Sequence, residues 1–115
     1  MPQRDAGYDD QDEITPTELG KRPANGAALQ LIDVREPDEH AFAHIEGARL
    51  IPLRSLPVRA TELDRDAEMI VFCHHGMRSA QAVEFLRARG FQRARNLAGG
   101  IDQWSVEVDP SVPRY

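Results

Sequence analysis

Short apolar segments recur along the chain, separated by polar stretches that contain glycine or proline. The segment Ala67 to Cys73 ends in a continuous apolar run, MIVFC, which is typical of a strand covered on both faces of a sheet. Leu29 to Val34 (LQLIDV) predicts a second buried strand with polar residues at its end. Shorter strands are predicted at 49–51 and 95–97.

Helix signals lie around and between these strands. Thr15 and Glu18 match a capping box with Pro16 at the first helical position, and they predict a short helix. The strongest helix pattern spans 79–89, where an apolar stripe precedes a basic end and Gly90. Further helices are predicted at 37–43, 53–63 and 100–106. Strands that alternate with helices predict an α/β domain with a mostly parallel sheet flanked by helices.

A chain of 115 residues suits one domain. Residues 1–13 are acidic and poor in apolar side chains, which predicts a disordered tail; the domain is expected over 14–108, with a C-terminal tail at 109–115. The net charge of −5 argues against nucleic acid as a partner, because phosphate binding needs a basic surface. No apolar run is long enough to span a bilayer, so no membrane partner is expected.

The single cysteine, Cys73, excludes an internal disulfide and favours a reducing compartment, so a cytoplasmic location is expected. It opens the loop CHHGMRS at 73–79, between the most apolar strand and the strongest helix. Ligand sites in parallel α/β sheets lie at the carboxyl ends of strands, where loop N–H groups and a helix N-terminus favour a thiolate. Gly76 is expected to give the loop its backbone freedom, and Ser79 to cap the helix. The sequence therefore predicts a reactive cysteine.

Arg78 opposes the dipole of the predicted helix, because a cation at a helix N-terminus is unfavourable. One interpretation is that an anion held above Cys73 offsets this cost, and the arginine-rich segment 73–115 supports an anionic substrate. The alternative is a surface arginine paired with an acid elsewhere in the chain. The sequence leaves both interpretations open.

Four motifs occur along the chain in this order: DVRE at 33–36, HIEGA at 44–48, CHHGMRS at 73–79 and LAGGIDQW at 97–104. In these motifs the chain resembles the single-domain rhodaneses, sulfurtransferases with relatives among the cell-cycle phosphatases. The resemblance implies a five-stranded parallel sheet flanked by helices and a cysteine that carries a persulfide. It also suggests that Asp33 and Arg35 support the site.

The length of the loop bears on the reaction. Cys73 and Arg78 enclose four residues, whereas the phosphatase relatives resemble protein tyrosine phosphatases in enclosing five. The narrower loop suits a sulfane sulfur on Sγ better than a phosphate group. We therefore expect a sulfurtransferase in which the Cys73 thiolate takes a sulfane sulfur from thiosulfate or a persulfide donor and passes it to a thiol or cyanide.

Substrate binding is expected from the rest of the loop, which would hold a small anionic sulfur donor and the persulfide through its N–H groups. The residues are His74, His75, Gly76, Met77, Arg78 and Ser79. Since the chain has no second cysteine, the acceptor, an external thiol or a sulfur-accepting protein, comes from outside. The two histidines either move a proton or only form the rim of the site.

Two other functions remain open at this point. A non-catalytic or sulfur-sensing docking module would present Cys73 to one protein partner, with residues 1–13 as a binding arm. A phosphatase or arsenate reductase is opposed by the short loop. No cofactor or metal is expected: His40 and His44 lie four residues apart, but the glutamate of the zinc-protease motif is missing, and residues 73–75 lack zinc-ligand spacing.

Overall fold

The computed structural model describes residues 12–22 and 29–115. The strands are β1 (Glu13–Ile14), β2 (Gln30–Asp33), β3 (Arg49–Leu50), β4 (Met69–Phe72) and β5 (Ala94–Leu97). The helices are α1 (Pro16–Gly20), α2 (Pro37–Phe42), α3 (Leu56–Arg59), α4 (Met77–Ala88) and α5 (Gly100–Glu107). The strands form one parallel sheet in the order β1-β5-β4-β2-β3, which confirms the predicted fold class.

The central strand β4 is covered on both faces, as its apolar run predicts. Met69 and Val71 belong to a core cluster that includes residues of α3 and α4. Ile70 and Phe72 point to the opposite face, into a cluster with residues of α1 and α5. All four side chains are fully buried. Burial on both faces fixes the end of β4, and therefore the start of the loop that follows it.

The sheet has an edge strand that the hydrophobic pattern does not predict. Glu13 lies opposite Asn96 in a parallel pairing of β1 with β5. Asp12 is buried and pairs with Arg87 at 3.0 Å. Two acidic residues of the expected tail, Asp12 and Glu13, therefore pack with the domain in the structure. The remainder of that tail, 1–11, lies outside the described residues.

The helices follow the sequence signals with two differences. The capping box of α1 is confirmed by hydrogen bonds from the Glu18 N–H to Thr15 Oγ1 at 3.1 Å and from the Thr15 N–H to Glu18 Oε1 at 3.0 Å. The helix expected at 53–63 is only the short α3, flanked by 3₁₀ turns at Leu53–Ser55 and Ala60–Glu62. α4 begins at Met77, two residues before the predicted start. Within the described ranges, no helix is long and apolar enough to cross a membrane.

Residues 109–115 were expected to form a tail, but they pack against the domain. Val112 is 7% exposed and belongs to the core cluster of α1 and α5. Its carbonyl accepts a hydrogen bond of 2.6 Å from the buried hydroxyl of Ser105. The ring of Tyr115 stacks on that of His74 with centroids 3.9 Å apart. The C-terminal segment therefore reaches the loop that follows β4.

Candidate active site

Cys73 lies where β4 ends, at the carboxyl edge of the sheet. Its side chain continues the alternation of Met69 and Val71 and belongs to the same core cluster. Only 1% of the residue is exposed. Because β4 lies between β2 and β5, the thiol is surrounded by the loops that follow three neighbouring strands.

Three hydrogen-bond donors face the sulfur of Cys73. The Gly76 N–H lies 3.1 Å from Sγ and the Ser79 N–H lies 3.4 Å from it. The Ser79 hydroxyl is 3.3 Å away. Donors that converge on one sulfur stabilise its anionic form, and the first turn of α4 adds the positive end of the helix dipole. The geometry therefore supplies three donors to any negative charge that forms on the sulfur.

Gly76 allows the turn that makes this possible. Its φ of +112° lies in the left-handed region, which residues with a side chain rarely adopt. Gly76, and not Ser79, occupies the N-cap position of α4. The expected capping role of Ser79 is wrong because the helix starts earlier, so Ser79 lies within its first turn and turns its side chain toward the sulfur.

Ser79 is connected to a residue that the sequence analysis missed. Its hydroxyl lies 2.5 Å from Oδ1 of Asn96, which is buried on β5. The amide nitrogen of Asn96 donates in turn to the Gly76 carbonyl at 3.1 Å. Since a hydroxyl has one hydrogen, Ser79 donates either to Asn96 or to Sγ at a given moment. Asn96 therefore positions both the hydroxyl and the left-handed turn.

The N-terminus of α5 holds the loop from the other side. The Ile101 N–H donates to the Cys73 carbonyl at 2.9 Å, and the Asp102 N–H donates to the His74 carbonyl at 3.1 Å. Gly100 makes this approach possible: a Cβ there would lie 2.4 Å from the His74 carbonyl oxygen and 2.5 Å from that of Cys73. The first carbonyls of the loop are thus bound to α5, away from the sulfur.

The family of rhodanese-like domains matches residues 15–107, which include this loop and the elements that hold it. The chain belongs to the rhodanese-like family. The predicted resemblance is therefore confirmed.

Relatives of this rhodanese-like chain include single-domain sulfurtransferases. It is 35% identical over 100 residues to a sulfurtransferase of Allochromatium vinosum, covering 87% of this chain and 94% of that protein. It is 36% identical over 91 residues to the thiosulfate sulfurtransferase GlpE of Ectopseudomonas mendocina, covering 79% and 82%. The human single-domain sulfurtransferase TSTD1 has a similar structure, with a TM-score of 0.74 and 29% identity over 84% of this chain and 96% of that one.

The chain also matches larger proteins over part of their length. It spans 30% and 26% of two larger curated relatives, to which it is 40% and 38% identical. The single-domain relatives, by contrast, match this chain over most of their own length.

Arg78 is held by a carboxylate of the rhodanese-like domain itself. Its guanidinium donates to Glu39 on α2 through two bonds, of 2.7 Å to Oε1 and 2.9 Å to Oε2. These bonds lower the pKa of Glu39 from 4.5 to about 2. The charge of Arg78 near the helix N-terminus is therefore offset by Glu39, and no bound anion is needed to explain it. Of the two sequence interpretations, the paired surface arginine describes this contact.

Asp33 and Arg35 form a fully buried ion pair at the end of β2. The guanidinium donates to Asp33 at 2.9 Å and 2.7 Å, and also to the Ala43 carbonyl and the Tyr115 hydroxyl. His40 Nδ1 lies 2.8 Å from Asp33 Oδ2. This network joins β2, α2 and Tyr115. The support of the site that the resemblance suggests for Asp33 and Arg35 stays a prediction.

The side chains of His74, His75 and Met77 lie away from the hydrogen bonds at Sγ. The ring of His74 stacks between those of His75 and Tyr115, with centroids 3.9 Å from each. Burial, followed by the charge of His75, lowers the pKa of His74. Met77 is 79% exposed. These three side chains therefore form a rim, and their expected contacts with substrate stay predictions.

A group of possible metal ligands lies on this rim. The ligand atoms of His74, His75 and Asp102 are within 4.8 Å of one another. The two rings are stacked with an interplanar angle of 22°, so their in-plane lone pairs lie side by side instead of converging. Both carboxylate oxygens of Asp102 accept bonds from Arg114. This arrangement does not favour tetrahedral coordination.

Proposed function

We propose that this chain transfers sulfane sulfur through a persulfide on Cys73, taking it from thiosulfate or a persulfide donor and passing it to a thiol or cyanide. The proposal rests on one observation: in a rhodanese-like domain, a buried Sγ faces two backbone N–H groups and one hydroxyl. This arrangement stabilises a negative sulfur, which is the nucleophile in the first step and the leaving group in the second.

In the first half-reaction the Cys73 thiolate attacks the outer sulfur of the donor. The Cys73 S–S bond forms while the sulfur–sulfur bond of the donor breaks. With thiosulfate as the donor, sulfite leaves and Cys73 carries a persulfide anion. With a protonated persulfide as the donor, a thiolate leaves and Cys73 carries a protonated persulfide. No external oxidant or reductant takes part, because the sulfane sulfur changes only its partner.

In the second half-reaction an acceptor attacks the outer sulfur of the Cys73 persulfide. Cyanide becomes thiocyanate, and an acceptor thiolate becomes a new persulfide. In both cases the Cys73 thiolate is the leaving group and is restored. The sequence has one cysteine, so we assign the acceptor to a separate thiol or a sulfur-accepting protein. We place the reaction in the cytoplasm, where a reducing environment keeps the thiol free.

Mass spectrometry of the intact protein tests the proposal. After incubation with thiosulfate or cysteine persulfide, the wild type is expected to gain the mass of one sulfur atom, located on Cys73, and to lose it on addition of cyanide as thiocyanate forms. Cys73→Ser is expected to show neither change.

Other outcomes contradict the proposal and favour the alternatives. Hydrolysis of an aryl phosphate that depends on Cys73, without sulfur loading, would indicate a phosphatase. Absence of both loading and hydrolysis under every donor tested would favour a docking module.

A further inference from the structure

The charge around the loop is largely neutralised by the chain's own residues. Arg78 holds Glu39, Arg35 holds the buried Asp33, and Arg114 holds Asp102. A guanidinium in a two-bond pair with a carboxylate offers much less attraction to a further anion than an unpaired one. Stabilisation of negative sulfur then depends on the neutral N–H and O–H donors at Sγ.

Glu39 is fixed in its position against Arg78. The Glu36 N–H donates to its Oε1 at 3.0 Å within the capping box of α2. The Tyr115 hydroxyl donates to its Oε2 at 2.8 Å and accepts a bond of 2.8 Å from Arg35. With a pKa of about 2, the carboxylate stays ionised at neutral pH. The pair is therefore a permanent part of the surface beside the loop.

Arg78 belongs to the segment 73–79, whose donors face the sulfur. In the sequence it directly precedes Ser79. The N–H and the hydroxyl of Ser79 both face Sγ. The bonds to Glu39 raise the pKa of Arg78, and the charge of the Cys73 thiolate raises it further. An unpaired guanidinium at this position would attract an anionic donor, and Glu39 cancels most of that attraction.

The two classes of donor place different charges beside this pair. Attack on thiosulfate brings a dianion to a thiolate, a total of three negative charges, and releases the dianion sulfite. Attack on a protonated persulfide brings a neutral sulfur to the same thiolate and releases a single thiolate. Only the first reaction needs an additional cation.

We propose that Glu39 is a specificity-determining residue that, by neutralising Arg78, makes the site favour persulfide donors over thiosulfate. This inference rests on the proposed sulfurtransferase function and narrows its donor. Glu39 acts through Arg78 and does not take part in the transfer of sulfur.

The test compares Glu39→Gln with Glu68→Gln. Glutamine keeps the capping bond and removes the charge. Glu68 forms an equivalent two-bond pair with Arg22, with the same side-chain exposure as the pair of Glu39 with Arg78, 19% for the acid and 36% for the arginine. Glu68 precedes β4, whereas Cys73 follows that strand at its other end. Glu68→Gln therefore changes the net charge by the same amount as Glu39→Gln without touching the site.

The measured quantity is kcat/KM with thiosulfate and with cysteine persulfide, using cyanide as acceptor. We expect Glu39→Gln to raise the value for thiosulfate about tenfold, because a guanidinium freed near the surface attracts a dianion at an effective dielectric constant of about 20. The value for cysteine persulfide is expected to change less than about threefold, and Glu68→Gln to leave the ratio of the two donors unchanged.

An unchanged donor ratio in folded Glu39→Gln, or an equal change in Glu68→Gln, would overturn the inference. Should Glu39→Gln not fold, the wild type supplies the second measurement. Its kcat/KM for thiosulfate is expected to vary little with ionic strength, and a steep fall with added salt would reveal an unpaired cation and refute the role of Glu39. Failure to load sulfur on Cys73 from either donor would instead refute the proposed function.

Discussion

At the scale of single residues, the hydroxyl of Ser79 is a side-chain donor that lies 3.3 Å from Sγ of Cys73. It is fully buried, so water does not replace it when it is lost. A hydrogen bond to a charged group contributes about 1.5–3 kcal/mol. In the proposed reaction the Cys73 thiolate is the charged partner, so its reactivity is expected to depend on this oxygen.

Ser79→Ala is therefore expected to lower kcat/KM for sulfur transfer by at least roughly tenfold, because the thiolate and the persulfide anion lose a donor. Alkylation of Cys73 by iodoacetamide at neutral pH should slow as well. The matched control is Ser105→Ala, which removes another buried hydroxyl, one that binds the Val112 carbonyl. An alkylation rate in Ser79→Ala equal to that in Ser105→Ala would contradict a role for the hydroxyl.

At the scale of elements, the site depends on the contact between α5 and the loop after β4. Two N–H groups of the first turn of α5 bind the carbonyls of Cys73 and His74. Gly100 has a φ of +65° and no room for a Cβ, so helix and loop meet backbone to backbone. The position of α5 and the shape of the loop are thus set together.

Gly100→Ala is expected to destabilise the fold by roughly 3 kcal/mol or more, because a backbone clash is added to left-handed strain. Gly47→Ala isolates the strain, since Gly47 has a φ of +84° and no atom within 4 Å of the position that an alanine Cβ would take; we expect a loss of about 1 kcal/mol. Urea unfolding measures both. Equal losses in the two variants would show that the close approach carries no cost.

Many of the strands and helices could be predicted from the local pattern of apolar and polar residues. The apolar run that ends at Cys73 predicts β4 and the position of the thiol, because burial on both faces selects such a run. β1 is missed because two residues, one of them acidic, carry no periodic signal. The start of α4 is misplaced because serine is the usual N-cap, whereas here a left-handed glycine precedes the helix.

The residues that complete the site are long-range partners. Asn96 is one of two polar residues in the short strand β5, and no local pattern distinguishes it from an exposed residue. Tyr115 and Glu39 approach the loop from distant parts of the chain, so their contacts exist only in the tertiary structure. Sequence motifs located the cysteine and its loop, while the identity of the charges around it required the structure.

At the scale of the whole molecule, Glu39 joins α2, α4 and the C-terminal residue through Arg78 and Tyr115. The bonds to Arg78 lower the pKa of Glu39 from 4.5 to about 2 in the folded state. Between these values the unfolded chain binds a proton more readily than the folded one, so the stability contributed by Glu39 is lost as the pH falls.

Glu39→Gln is expected to lower the free energy of unfolding by about 2 kcal/mol near pH 6, allowing for partial solvent screening of the pair. The difference from wild type should shrink toward zero as the pH approaches 2, because the wild-type carboxyl is then protonated as well. Urea unfolding at several pH values gives the difference. A gap that stays constant over this range would show that the charge of Glu39 does not stabilise the fold.

The single hydrogen of the Ser79 hydroxyl has a consequence for how a partner distinguishes the two forms of the protein. Rotation about one C–O bond moves that hydrogen from Asn96 to the sulfur and leaves two oxygens 2.5 Å apart, so the Asn96 amide has to shift as well. Because that amide also donates to the Gly76 carbonyl, we expect the left-handed turn to respond to the charge of the sulfur. In the proposed reaction, a protein that accepts the sulfur is therefore expected to meet a different turn at Gly76 before and after the transfer.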